Sequence, residues 1–290
     1  MANLKEIRNR ITSVSSTMQI TSAMKMVSAA KLKRAQDAVT QMRPYAVKLQ
    51  ALLSNLSATL DLSENPYSEV REGGSTLVVA VTSNRGLCGG FNNNVIKKVN
   101  LILGENQEND VTVLPIGKKV RDVIKKTGKL NTDATLGGNL DEIYNDLRFE
   151  NVAVIGDNLM TAFAEKRYNK VILIYNRFIN AASQEVMVEQ LLPIAKPEES
   201  TDSNGDYFFE PSKNEIVADL IPKSLKIQLY KAILDSNASE HGARMTAMHK
   251  ATDNASDMLR SLKLVYNKAR QAAITNEILE IVGGAEALNN

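Results

Sequence analysis

Residues 245–273 read MTAMHKATDNASDMLRSLKLVYNKARQAA, and they decide the fold. Met245, Met248, Thr252, Ala255, Leu259, Leu262, Tyr266, Ala269 and Ala273 recur in strictly alternating steps of three and four. A 3.5-residue repeat lays these side chains along one seam of an α-helix, the pattern of a helix that packs lengthwise against another. Upstream, Leu225, Leu229 and Ala232 lead into the seam; Pro222 suits a first-turn position and Gly283-Gly284 a helix stop. A helix over 223–282 would be a rod of about 90 Å. A rod of that length has no stability of its own until its seam is covered.

The cover is at the other end of the chain. Leu4, Ile7, Ile11, Val14 and Met18 recur at the same spacing, and after a shift of phase so do Ala35, Val39, Met42, Ala46, Leu49, Leu53, Leu56 and Leu60. Between them, Ile20 to Arg34 is rich in small residues and follows the seam less cleanly. Pro44 should kink this first helix, about 3–58, or open a gap in its hydrogen bonds. Two long seams separated by a whole domain imply an antiparallel coiled coil of 1–58 with 223–282.

The segregation of residue types supports that division. All 15 glycines lie at or after Gly73, and no proline precedes Pro44. Eleven of the 14 aromatic residues fall in 61–218, where a compact core needs them. Residues 1–60 carry nine basic groups against two acidic, a net of +7, whereas the middle of the chain nets −6 although the total is only +2. A basic arm suggests either a partner for that arm or a solvated helix face. The near-balanced total argues against a general nucleic-acid binder.

The middle reads as an α/β domain. Thr76–Thr82, Val111–Ile116, Lys170–Tyr175 and Glu185–Leu192 have strand character. Phe91–Leu103, with Asn92, Asn93 and Asn94 available as caps, reads as a helix, as do Lys118–Lys126, Asp141–Leu147 and Asp157–Lys166. The alternation implies a mainly parallel sheet. Residues 195–222 read as an exposed loop. The domains are therefore expected at 1–60, 61–222 and 223–290.

Little here points to chemistry. The loop Ser83–Asn92 follows a strand and opens a helix, where phosphate could sit, yet it matches neither the P-loop nor the dinucleotide glycine pattern. A tight strand-to-helix turn explains its glycines as well. Cys88, the sole cysteine, would be a nucleophile only with a stabilised thiolate, and His241 and His249 lie far from it in sequence, eight residues apart, which is not ligand spacing. No apolar run approaches a membrane span, and Met1 to Ile11 lacks the apolar core of a signal peptide. No catalytic residue, cofactor site or metal site is expected. From the residues alone, a nucleotide-dependent α/β enzyme with a helical dimerisation rod and a purely structural coiled-coil scaffold both remain open.

Several stretches are specific. They are Ile7–Ile11 with Gln19–Lys31 (QITSAMKMVSAAK), Arg85–Asn92 (RGLCGGFN), Ser239–Met248 with Ala251–Ala255, and above all Tyr266–Ala285 (YNKARQAAITNEILEIVGGA). In these the chain resembles the gamma subunit of the F-type ATP synthase, over its whole length. The resemblance implies a long antiparallel coiled coil of the N- and C-terminal helices with an inserted α/β (Rossmann-like) domain. It implies a non-catalytic central-stalk rotor that couples proton-driven rotation to ATP synthesis or hydrolysis at partner beta subunits. Implied partners are the alpha and beta subunits of the catalytic hexamer, the epsilon subunit and the c-subunit ring. The implied location is peripheral, on the cytoplasmic side of the bacterial inner membrane, without nucleic acid and without a membrane span. By the same resemblance Met24, Lys25, Met26 and Val27 face moving loops of the beta subunits. Arg270, Gln271 and Thr275, with Arg244 farther down the helix, catch an open beta subunit. Arg85, Gly86 and Cys88 lie in the domain near epsilon.

Overall fold

The computed structural model describes residues 4–57, 65–71, 73–105, 110–194 and 213–288. In chain order the elements are α1 (Leu4–Ser57), β1 (Thr76–Val81), α2 (Phe91–Glu105), β2 (Val111–Ile116), α3 (Lys118–Ile124), α4 (Phe149–Ala164), β3 (Lys170–Phe178), β4 (Gln184–Leu192) and α5 (Lys213–Leu288). Short 3-10 turns occupy 125–127, 134–136 and 140–145, the last replacing the helix expected over 141–147. Two compact units result, Met1–Ser28 with Met245–Asn290, and Ala29–Arg244.

The α/β core lies within the second unit. Its sheet has the order β2-β1-β3-β4, with β1 parallel to both neighbours and β3 antiparallel to β4. The pleat of β1 explains the layering. Val78 and Ala80 face Val95, Val99, Val120 and Ile124 of α2 and α3. Leu77, Val79 and Val81 face Val152, Ile155, Leu159 and Phe163 of α4, with Leu225, Leu229 and Ile233 of α5. A strand covered on both faces has no polar position to spare, hence its unbroken apolar run. Helix α4 starts eight residues before the expected Asp157, because Val152 and Ile155 already belong to its buried face. Gly156 lets α4 approach α5 closely, since a Cβ there would stand 3.1 Å from Cγ of Lys226.

Three sequence expectations about the long helices change. Helix α5 begins at Lys213, so 213–222 is helix and not loop, and Pro222 lies inside it; the rest of the expected loop, 195–212, lies outside the described residues. The apolar stripe continues upstream of the proline through buried Ile221, and that burial offsets the roughly 3 kcal/mol that an interior proline costs. Gly283 and Gly284 do not stop α5, which continues to Leu288. Neither adopts the left-handed conformation that a glycine stop requires, and the following Ala285-Glu286-Ala287-Leu288 favours helix. Helix α1 likewise runs through Pro44.

The third change concerns the seam of α1, which has one register and no shift of phase. Leu4, Ile7, Ile11, Val14, Met18, Thr21, Lys25, Ser28, Leu32, Ala35, Val39, Met42, Ala46 and Leu49 are all buried or half-buried, in steps of three and four throughout. Thr21, Lys25 and Ser28 occupy three consecutive seam positions, and their polarity disguised the repeat. In α5 the expected seam stands: from Asp253 to Ala285 the residues not exposed are Ala255, Leu259, Leu262, Tyr266, Ala269 and Ala273.

Candidate functional site

Within the first unit, three contacts fix how the helices pair. Arg8 donates to the Tyr266 hydroxyl at 2.8 Å, the Thr252 hydroxyl donates to that of Thr21 at 2.9 Å, and Lys25 Nζ lies 3.2 Å from Nδ1 of His249. Moving forward along α1 moves backward along α5 by nearly the same number of residues, so the helices are antiparallel. In this register Leu4 stands level with about residue 270 at equal rise per residue. Residues 271–288 therefore run on past the first described turn of α1, over about 27 Å.

This overhang carries a feature that sequence reading missed. Ile274, Ile278, Ile281 and Val282 are exposed, with Ile281 71% accessible. Their spacing of four, seven and eight residues makes one apolar stripe, turned by about 100° from the seam that ends at Ala273. The signal was in the sequence, as apolar residues that persist after the seam has stopped. Gln271 and Arg270 are exposed at the start of the overhang, and Thr275 donates back to the Gln271 carbonyl at 2.9 Å. Those three expected contact residues are thus brought together within little more than one turn.

On α1 the expected contact residues divide. Lys25 is half-buried in the seam, and Met24 is half-buried beside it. Met26 and Val27 are exposed, as is Ile20 one heptad before Val27. An apolar outer face of this kind is open to a partner, whereas the seam residues are spent between the helices.

The loop after β1 and Arg244 form a separate constellation inside the second unit. It sits at the carboxyl ends of β1 and β3, on opposite sides of which the chain continues; in open α/β sheets that crevice is where ligands enter. Here the chain fills it. Ser239 of α5 donates to the Asn176 carbonyl at 3.0 Å, and Asn176 Nδ2 donates to the Phe91 carbonyl at 3.2 Å. The Arg244 guanidinium donates to the carbonyls of Arg85 at 3.2 Å and Gly86 at 3.3 Å, and to Glu240 Oε1 at 2.6 Å. Asn92, expected as a cap, instead brackets the loop: its Oδ1 accepts from the Ser83 amide at 2.9 Å and its Nδ2 donates to Cys88 Sγ at 3.1 Å.

Electrostatics follow from this burial. Burial raises the Glu240 carboxyl, and the adjacent Arg244 pulls it back. Burial, then Arg244 and Lys31, lowers His241 to about 4. Its Nδ1, 3.5 Å from Arg244 Nη1, can only accept. Because the unfolded histidine binds its proton near 6.5, His241 costs stability as pH falls from 6.5 toward 4. Arg85 is exposed, but Cys88 is buried against Phe91 and Ala243, and burial pushes its thiol up. Cys88 in the native chain is therefore expected to react with a disulfide reagent at least about tenfold more slowly at pH 8 than after unfolding. Equal rates would show the loop open. Arg244, expected at a partner, is buried in this chain, where its guanidinium binds the chain's own loop.

The comparisons with known proteins cover the whole chain. A family model described as ATP synthase matches residues 3–288. The ATP synthase gamma chain of Flavobacterium johnsoniae is 64% identical, and that of Christiangramia forsetii 58%, each with all of both chains aligned. The central stalk/c-ring structure of the Tetrahymena thermophila mitochondrial ATP synthase is 26% identical, aligned over 80% of this chain and 99% of that one, with a TM-score of 0.59. The rotor of the Euglena gracilis mitochondrial enzyme, 21% identical over 93% of this chain and 98% of that one, shares the fold at a TM-score of 0.67.

Proposed function

Since the chain belongs to the ATP synthase gamma chain family, the non-catalytic central-stalk rotor subunits of F-type ATP synthases, we propose which of its parts meet which partners. The overhang of α5 beyond Leu4 carries this reading. A lone helix with an exposed apolar stripe is stable in water only marginally, and a surrounding collar of alpha and beta subunits would cover it. Arg270, Gln271 and Thr275, at the collar's edge, would catch an open beta subunit. Met26 and Val27, with Met24 and Lys25 behind them, would meet the moving beta loops, and the basic charge of residues 1–60 would favour acidic loops there. The asymmetric shaft then biases bistable neighbours from a distance, while ATP and its chemistry stay with them.

The α/β unit is assigned to the membrane-proximal end. Its loop at Arg85, Gly86 and Cys88 would face the epsilon subunit and its outer surface the c-subunit ring. The Tetrahymena relative, a central stalk seen together with its c-ring, supports the second of these contacts. The proposed functional division is arm, domain and arm at 1–60, 61–222 and 223–290, with the last helix starting ahead of that boundary at Lys213. The chain would lie peripherally on the cytoplasmic side of a bacterial plasma membrane, coupled to protons. Among the described residues no helix is long and apolar enough to cross a membrane.

The catch is tested directly. Gln271→Ala with Thr275→Ala removes hydrogen bonds worth about 0.5–1.5 kcal/mol each. Coupled ATP synthesis in the reconstituted complex is expected to fall about tenfold, which equals roughly 1.4 kcal/mol, with normal subunit stoichiometry. Full synthesis by the double variant would refute the assignment, and loss of assembly would make these residues structural.

A further inference from the structure

We propose that His249 is a proton-operated latch between α1 and α5 in the unit formed by the two chain ends. One ring nitrogen, Nδ1, faces two partners of opposite demand. Lys25 Nζ of α1 lies 3.2 Å from it, and Oδ2 of Asp253, one turn along α5, lies 3.4 Å from it. An ammonium can only donate, so the contact with Lys25 requires Nδ1 to carry a lone pair. The Asp253 carboxylate stands at ion-pair distance and attracts the ring only when the ring is protonated. The two contacts therefore favour opposite protonation states of His249. Neutral His249 accepts from Lys25 and ties the helices together. Protonated His249 donates to Asp253, stays within its own helix and repels the Lys25 ammonium.

The surroundings leave the choice to these groups. Lys25 is the charged residue facing the ring from α1, because Thr21, Ser22, Ser28 and Ala29, a turn away on either side, are uncharged. On α5 the facing charge is Asp253, with Met245 and Thr252 on the same side of the helix; Lys250, the next residue, points about 100° away. The latch sits within the polar stretch of the seam, next to the Thr21–Thr252 hydrogen bond. A polar seam position also fixes register at a cost in stability. On the rotor reading, which the latch does not need, acid would soften the shaft at this point.

The test uses the full-length chain labelled with 15N-histidine. Two histidines give separable signals, since His241 is held near 4. The neutral His249 ring is expected to carry its proton on Nε2, because Nδ1 accepts from Lys25. A second measurement is a double-mutant cycle of Lys25→Met with His249→Ala in denaturant unfolding at pH 8.0 and 5.5. At pH 8.0 the pair is expected to favour the folded state by about two- to fivefold, the range of exposed pairs. At pH 5.5 the coupling should vanish or change sign. A ring carrying its neutral-state proton on Nδ1 at pH 8, or a coupling equal at both pH values, would overturn the latch.

Discussion

Arg244→Met is expected to remove about 3–5 kcal/mol of stability, the typical cost of breaking a buried ion pair from one side. Arg244 and Glu240 have side chains only 9% and 11% accessible and meet at 2.6 Å. Without the guanidinium, Glu240 keeps a carboxylate in a site that already raises its pKa by burial. The Gly86 carbonyl loses its guanidinium donor at the same time, and the Arg85 carbonyl is left with the Ser83 hydroxyl. The Arg244→Met/Glu240→Leu double variant should recover a large part of the loss, since it leaves no unpaired charge. The pH dependence follows in sign. A carboxyl whose folded pKa lies above its unfolded value binds more protons when folded, so falling pH stabilises the fold through that window. The Arg244→Met deficit should therefore shrink as pH drops toward 4.5, the ordinary carboxyl value. Urea unfolding of the wild-type chain and the two variants between pH 8 and 5 measures it. A deficit under about 1 kcal/mol at pH 8, far below the usual cost of such a break, would mean that the guanidinium is free for a partner, as the family resemblance implied.

Arg244 also marks the boundary of what the sequence could supply. The seam of α5 was legible because nine positions repeat without interruption and no other structure uses that period. The seam of α1 was only half legible, because Thr21, Lys25 and Ser28 are polar and a hydrophobic repeat is blind to them. Strand β1 was clear as a doubly covered apolar run. The helix boundaries at Lys213 and Leu288 were not, since both lie beyond residues that ordinarily end a helix, Pro222 and Gly283-Gly284. There, tertiary burial of Ile221 outweighs local propensity upstream, and good helix formers outweigh the two glycines downstream. Site residues divided on the same principle. Spacing grouped Gln271 with Thr275 because one helix turn is local. Nothing local tells that Arg244 folds back onto a loop 158 residues earlier. The filled crevice at β1 and β3 is equally non-local, and it gives a physical reason why a strand-loop-helix element here serves packing.

Charging the overhang is expected to leave the isolated chain intact and to disable the assembled machine. Ile278 and Ile281 are 55% and 71% accessible, so aspartate at both positions buries nothing new in the isolated chain. Such exposed substitutions usually change stability by less than about 0.5 kcal/mol. In a collar the same two carboxylates would face apolar surface without counter-ions. Each group would then cost several kcal/mol or stay unseated. Two such costs exceed the roughly 1.4 kcal/mol that equals a tenfold change. Coupled synthesis by the Ile278→Asp/Ile281→Asp complex should fall by well over tenfold, through lost assembly or lost coupling. Ile278→Leu/Ile281→Leu, which keeps the apolar stripe, should retain near-normal synthesis. The decisive comparison sets circular dichroism and melting of the isolated variants beside synthesis, hydrolysis and stoichiometry of their complexes. If the aspartate variant assembles and synthesises ATP at the normal rate, the stripe is not held by a collar, and the proposed seat of the overhang is wrong. If it also unfolds the isolated chain, the stripe is instead packing material of the shaft itself.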